Sequence, residues 1–244
     1  MGKISTRNNA VQSEDTHTKM TEKKDANEKK SRCFLFVGGR DFSPEYLTDL
    51  PTEDDYVIAA DSGCETLEKL KTRLPDLCPN LILGDMDSFD KSRLPALFPH
   101  VPFHAFPPEK DDTDSALAVD TALSLGYRKL YLIGGLGGRL DHTLNNVFLL
   151  EDIRKKGAEC VLTDGKNRAY LAEEKNEIVK NGRKYVSLIP LDEIVYDVEM
   201  RGFFYPFKAE KLLRRRFVTV SNELTGDRGE ISVGSGAALI VETV

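Results

Sequence analysis

The chain predicts an α/β N-terminal domain with a mostly parallel, Rossmann-like sheet, followed by an all-β sandwich domain. Three observations carry this. Between residues 33 and 165, short apolar runs alternate with segments of helical period, the signature of a parallel sheet with helices on its faces. After residue 168, strand-like runs follow one another closely, separated by turn residues, which indicates antiparallel pairing. Residues 1–31 are mostly polar and charged, too poor in apolar content to offset ordering entropy, and read as a disordered tail. The expected boundaries are therefore 1–31, 32–167 and 168–244.

In the first domain the expected strands are Cys33–Val37, Tyr56–Ala60, Leu81–Leu83, Val101–Phe106, Lys129–Ile133 and Glu159–Leu162. Each is a short apolar run, as a buried parallel strand requires. Helices are expected at 44–50, 62–73, 91–98, 113–125 and 140–156. The fourth begins at Asp112-Thr113-Asp114, whose side-chain oxygens suit capping, and ends at Gly126, a suitable residue just beyond a C-terminus. In the second domain strands are expected at 178–180, 184–189, 193–199, 203–207, 216–221, 229–233 and 237–243. Asn181-Gly182, Pro190-Leu191-Asp192, Gly226-Asp227 and Gly234-Ser235-Gly236 supply the turns. The basic run Lys208–Arg216 reads as a solvated loop or sheet edge.

Composition excludes several classes. A formal charge of −6 over 244 residues argues against a nucleic-acid binder held by phosphate neutralisation. No apolar stretch approaches the roughly 20 residues of a spanning helix, so no membrane is expected. Lys3 and Arg7 are followed by no apolar segment of the kind a secretory signal carries. Cys33, Cys64, Cys78 and Cys160 form no CxxC pair, and three sit in or beside apolar runs. They read as reduced thiols in a cytoplasmic setting.

Several strand ends carry polar or Gly-rich loops. Asp85 and Asp87 follow the strand ending at Gly84. If the chain stays extended there, both point the same way. Two neighbouring anions are tolerable as a solvated turn or as ligands of a shared divalent cation, and Mg²⁺ takes such oxygens. Glu109-Lys110-Asp111-Asp112-Thr113-Asp114 lies at a strand-to-helix junction. Lys110 offers positive charge to a phosphate there, and Asp111 and Asp114 can share a face of the first turn; a plain capping cluster is the alternative. Gly134-Gly135-Leu136-Gly137-Gly138-Arg139-Leu140-Asp141-His142 sits where a phosphate-cradling loop would. Gly137 and Gly138 allow close backbone approach, and Arg139 has a fork for a phosphate, although the spacing is neither a P-loop nor a dinucleotide fingerprint. Asp61, just past another strand, suits a ribose hydroxyl, a metal-bound water or a helix cap, and Val37-Gly38-Gly39-Arg40 can line the same crevice. Together these loops favour a nucleotide and metal site at the strand C-termini.

The motifs GDMDS (84–88), KDDTD (110–114) and GGLGGRLDH (134–142), with Ser221-Asn222 before a Gly-rich turn and a last strand, resemble the thiamine pyrophosphokinase family over residues 33–244. The resemblance implies a homodimer that transfers the diphosphate of ATP to the hydroxyl of thiamine, yielding thiamine diphosphate and AMP with Mg²⁺. It implies Asp85, Asp87 and Asp114 as metal ligands; Asp61 and His142 are nucleotide-site candidates from their own positions, with a capping or interior role as the alternative for each. The resemblance also puts Lys110 and Asp111 near the phosphates, Arg139 and Asp141 on the substrates, and Ser221 and Asn222 near thiamine. Of these, Asp87, Asp111 and Asp114 are the catalytic candidates. Some family members stack a tryptophan on thiamine; this chain has none, so Phe203 or Tyr205 is the expected substitute. Two competing readings are another ATP-dependent kinase of a small alcohol and a nucleotide sensor without turnover. The first releases ADP instead of AMP, or accepts a different alcohol; the second binds ATP without product.

Overall fold

The order of parallel strands decides where a ligand can bind, and the chain folds with that order reversing at its first strand. A computed structural model describes residues 32–39, 41–84, 89–105 and 112–244. The tail 1–31, Asp85, Asp87, Phe106, Lys110 and Asp111 lie outside the described residues.

The elements run β1 (Cys33–Phe36), β2 (Tyr56–Ala60), α1 (Gly63–Leu70), β3 (Leu81–Gly84), α2 (Leu94–Leu97) and β4 (Phe103–Ala105). Then come α3 (Asp114–Ser124), β5 (Lys129–Ile133), α4 (Leu140–Lys155), β6 (Glu159–Thr163) and β7 (Asn167–Leu171). The remaining strands are β8 (Lys175–Val179), β9 (Tyr185–Pro190), β10 (Ile194–Arg201), β11 (Phe207–Leu213), β12 (Arg228–Ser232) and β13 (Ala238–Thr243).

A nine-stranded sheet has the order β4-β3-β2-β1-β5-β6-β7-β13-β9. Its first six strands are parallel, and β7, β13 and β9 extend it with antiparallel pairs across residue 167. Side chains of β1 alternate between two cores, as period two demands. Cys33, Leu35 and Val37 join Ala118, Val119 and Ala122 of α3 and Leu150 and Ile153 of α4. Phe34 and Phe36 join Cys64, Leu67 and Leu70 of α1. The sheet is thus covered on both faces, the doubly wound arrangement. A four-stranded antiparallel sheet, β11-β10-β12-β8, shares a third core with β9 and β13: Ile178, Val195, Met200 and Ile231 meet Val186, Leu188, Ala238 and Ile240. That makes the sandwich layer.

Several expected elements differ. Instead of a helix at 44–50 there is a single 3-10 turn, Pro44–Tyr46, after which Leu47 is extended. The carbonyls of Pro44 and Leu47 are taken by the Arg73 guanidinium, which competes with continuation of the helix. The helix expected at 91–98 splits into a 3-10 turn at Lys91–Arg93 and the short α2. Of the segments 203–207 and 216–221, Phe203 and Arg216 make isolated bridges and Phe207 already opens β11; Ser221 has φ +54, which breaks an extended run. The basic run 208–216 falls largely in β11, an edge strand, where charge guards against further pairing. Strand β7 was not expected. All four cysteines are free, three of them buried.

Candidate functional site

In the nine-stranded sheet the neighbours of β1 are β2 on one side and β5 on the other. The chain leaves β1 toward β2 and leaves β5 toward β6, in opposite directions, so beyond their first residues the two loops part and leave a crevice. That crevice, of about 610 Å³, is lined by the ends of β1, β2 and β5 and by the starts of α1, α3 and α4. From the loop after β1 come Val37, Gly38 and Gly39; from the end of β2, Asp61 and Ser62; from α1, Glu65, Thr66 and Lys69. The start of α3 adds Thr113, Asp114 and Ser115, and the loop after β5 adds Gly134, Gly135, Gly137, Gly138 and Arg139, with His142 and Asn146 from α4.

The glycines are required by close backbone packing. A Cβ on Gly39 would lie 2.7 Å from Gly134 Cα, and one on Gly134 would lie 2.6 Å from Val37 O. The loops after β1 and β5 therefore touch backbone to backbone, which only glycine permits. Gly134, Gly137 and Gly138 also hold positive φ.

Asp61 closes β2 with φ +47 and is 5% exposed. Its N–H donates to Leu83 O at 2.9 Å, and its carbonyl accepts from Cys64 N–H at 3.1 Å, turning the chain into α1. Burial, helped by the adjacent Asp61 charge, pushes the Cys64 thiol up to about 12. That thiol stays protonated, so it is no nucleophile. Asp114 is the first residue of α3; the helix is capped by Thr113, whose Oγ1 accepts from Ala116 N–H at 3.3 Å. Asn145 Nδ2 of α4 donates to the same Oγ1 at 3.4 Å, tying the two helix starts together.

Arg139 flanks the start of α4. Its fork holds Asp141 at 3.1 Å and 2.5 Å, both side chains being solvent-exposed. The Arg139 fork keeps the Asp141 carboxyl down at about 2, and Asp141 in turn raises the guanidinium. His142 N–H donates to Asp141 Oδ1 at 3.1 Å. Asp141 is thus a partner of Arg139 and does not itself line the crevice.

Expected site residues therefore divide three ways. Asp61, Asp114, Gly137, Gly138, Arg139 and His142 converge on one crevice. Asp85, Asp87, Lys110 and Asp111 lie outside the described residues, and among the described residues no cluster of three metal-ligating side chains occurs. Ser221 and Asn222 stand apart from the crevice, in the sandwich region. The buried Asn222 side chain accepts from Tyr205 N–H and Glu223 N–H, both at 3.0 Å, and donates to Tyr205 O at 2.7 Å. Its amide thus clamps the loop that displays Tyr205, 67% exposed, whereas Phe203 is buried in the third core. Sequence reasoning missed Glu65, Lys69 and Asn146. The first two are spaced i, i+4 on the helix that follows Asp61, a pattern readable once that helix is aimed at the site. Asn146 Nδ2 donates to Gly135 O at 2.9 Å, a contact that leaves no trace in sequence.

Comparison with known proteins fits this geometry. Residues 47–162 match the model of the thiamin pyrophosphokinase catalytic domain, and residues 175–238 match that of the thiamin pyrophosphokinase vitamin B1 binding domain. The chain is similar to thiamine pyrophosphokinase of Bacillus subtilis (strain 168), 29% identical over 213 residues, covering 84% of this chain and 95% of the relative. The crystal structure of the Bacillus subtilis thiamine pyrophosphokinase superposes with a TM-score of 0.77 at 28% identity, over 88% of this chain and 99% of the other. The yeast thiamin pyrophosphokinase structure, 18% identical over 89% and 87% of the two chains, shares the fold with a TM-score of 0.69.

Proposed function

The chain belongs to the thiamin pyrophosphokinase family, and on that premise we propose that the crevice at the ends of β1, β2 and β5 binds ATP, with thiamine brought to its mouth. The family's reaction moves the diphosphate of ATP onto the thiamine hydroxyl, giving thiamine diphosphate and AMP. What carries the assignment to this crevice is convergence. A Gly-rich loop, a helix start with Asp114 and the buried Asp61 meet where the strand order reverses.

The donor set suits a hard cation. Asp61, Glu65 and Asp114 line the crevice, and carboxylate oxygens are the ligand type Mg²⁺ takes. Asp114 would hold that ion together with Asp85 and Asp87, which follow β3 in sequence. When bound, Mg²⁺ neutralises charge on the phosphate oxygens. The rest is work for the chain. Arg139, once it exchanges Asp141 for phosphate, grips the triphosphate with two parallel N–H donors. Lys110 adds charge to the same phosphates, with Asp111 beside it. Backbone of Gly137 and Gly138 approaches oxygen without a side chain in the way. His142 and Asp61 border the nucleotide. Proton removal from the thiamine hydroxyl falls to Asp87 or Asp114, and alignment in line with the leaving AMP contributes most of the acceleration.

Residues 168–244 serve as the thiamine-binding and dimerisation part, with residues 32–167 as the ATP part. Asn222 holds Tyr205 outward as an aromatic face for the cationic thiazolium ring of thiamine, with Ser221 adjacent. A homodimer explains two apolar patches that one copy leaves in water. Leu140 (70% exposed), Leu144 and Phe148 (61%) recur every fourth residue on α4, and Phe204, Val218 and Val220 are exposed in the sandwich region. Large exposed patches of this kind mark association surfaces. A cytoplasmic setting suits the four free thiols. No described helix is long and apolar enough to cross a membrane.

Incubating purified chain with thiamine, ATP and Mg²⁺ tests the reading. It predicts AMP and thiamine diphosphate in equal amounts. ADP as product, or ATP consumption independent of thiamine, refutes it.

A further inference from the structure

The Gly-rich loop after β5 is fastened at four points. Gly134 N–H donates to Thr163 O at 2.7 Å. Asn146 Nδ2 donates to Gly135 O at 2.9 Å, and Thr143 Oγ1 to Gly137 O at 3.3 Å. These three partners sit on β6 and α4, which flank the loop. The fourth does not: Gly138 N–H donates at 2.8 Å to Asp41 Oδ2, from a residue 97 positions earlier.

The tip is where such a contact matters most. Gly137 and Gly138 take φ +84 and +66 in succession, and two glycines together give the chain little preference of its own. Among the described residues nothing lies within 4 Å of a Cβ built on Gly138, so packing does not hold it either. The Asp41 carboxylate also lies against Gly137, where a Cβ would come 3.2 Å from Oδ2. Asp41 is itself well placed to act as an anchor. Next to it, the buried Phe42 donates its N–H to Gly39 O at 3.1 Å, and Ser43 N–H donates to Asp164 O at 2.8 Å. Further along, the buried Arg183 donates to Tyr46 O at 3.3 Å and Gly165 O at 2.7 Å.

We propose that Asp41 is a positioning residue for the diphosphoryl transfer: by accepting the Gly138 N–H it sets the loop tip, and through it the Arg139 side chain that grips the triphosphate. The proposal rests on the crevice being the ATP site. Asp41 acts through the loop and touches no substrate. What the loop needs from it is an acceptor oxygen in that place, which asparagine also supplies and alanine does not.

The test uses the full chain with Asp41→Ala and Asp41→Asn. AMP release is measured at saturating thiamine with Mg²⁺ and varied ATP, and Gly138 amide exchange is followed by NMR in the ligand-free protein. Asp41→Ala should raise KM for ATP about five- to tenfold, the scale of one lost hydrogen bond at an exposed loop, with kcat within about threefold, because the grip serves ground and transition states alike. Its Gly138 amide should exchange faster. Asp41→Asn should stay within about twofold of the parent in both readouts, since it keeps the acceptor. An unchanged or lowered KM in Asp41→Ala overturns the proposal, a lowered one meaning that the carboxylate competes with phosphate. Equal impairment of both variants overturns it too. A parent chain that releases no AMP removes the ATP reading and this proposal with it, whereas an active parent with indifferent variants removes this proposal alone.

Discussion

Two glycines of one loop, Gly134 and Gly138, separate steric need from conformational need. Both have positive φ, +83 and +66. Alanine in that region costs about 1–2 kcal/mol at either position. Only at Gly134 does the new methyl also meet backbone, 2.6 Å from Val37 O. Val37 follows β1 and is held by its own N–H to Ile133 O at 2.9 Å, so the β1 and β5 ends must part to admit it. Overpacking of this kind adds about 1–3 kcal/mol. Gly134→Ala should therefore lose about 2–5 kcal/mol, and Gly138→Ala only about 1–2 kcal/mol. Urea unfolding followed by far-UV circular dichroism measures both, with the midpoint read at unchanged slope. Activity should separate them as well: Gly138→Ala keeps its fold and raises KM for ATP, while Gly134→Ala loses stability and turnover together. Equal destabilisation of the two variants, within about 0.5 kcal/mol, would refute the claim that backbone contact across the crevice floor selects the first glycine.

Other outcomes follow from the same geometry. Asp87→Asn and Asp114→Asn should each lower turnover by about 10²-fold or more, the scale of lost transition-state electrostatics, while Asp90→Asn, whose exposed side chain only caps Ser92, should leave it unchanged; AMP release at excess Mg²⁺ reads all three. Asn222→Ala removes three hydrogen bonds around Tyr205; it should cost about 2 kcal/mol in urea unfolding and raise KM for thiamine more than KM for ATP. Burial alone would raise the carboxyl of Asp55, but hydrogen bonds from Arg32 and Thr52 outweigh it and hold that carboxyl below its usual value. Its stabilisation is therefore complete above the unfolded value near 3.8 and disappears as pH falls through the lower folded value. Asp55→Asn should lose about 3 kcal/mol at pH 7, and the gap to the parent should narrow in unfolding measured below pH 4.

Much of the parallel half was legible because burial on both faces leaves uninterrupted apolar runs. Strands β2 and β5 match their expected bounds, β1 ends one residue early, and α3 and α4 lie within a residue of theirs. The sandwich half was harder to read. Strand β7 hides because Arg168 is half-buried through ion pairs with Asp49 and Glu242, partners 119 and 74 positions away that no local window contains. Residues 203–206 and 216–221 look like strands by composition, yet Phe203 turns inward while Phe204, Tyr205 and Val218 face water. At the crevice, residues legible by type and spacing were Asp61, Asp114, Arg139 and the glycines. Asp41 and Asn146 were not, since each works by a single hydrogen bond to loop backbone. Asn222 was legible as a residue of interest, but its amide is spent on the chain itself.

A crystal structure of the chain with Mg²⁺ and a non-hydrolysable ATP analogue tests the central claim most directly. The triphosphate should lie between the loop Gly134–Gly138 and the start of α3, with Arg139 turned from Asp141 onto phosphate and the metal bound by Asp114 with Asp85 and Asp87. Nucleotide bound elsewhere on the chain, or a metal held without any of these three carboxylates, would contradict it.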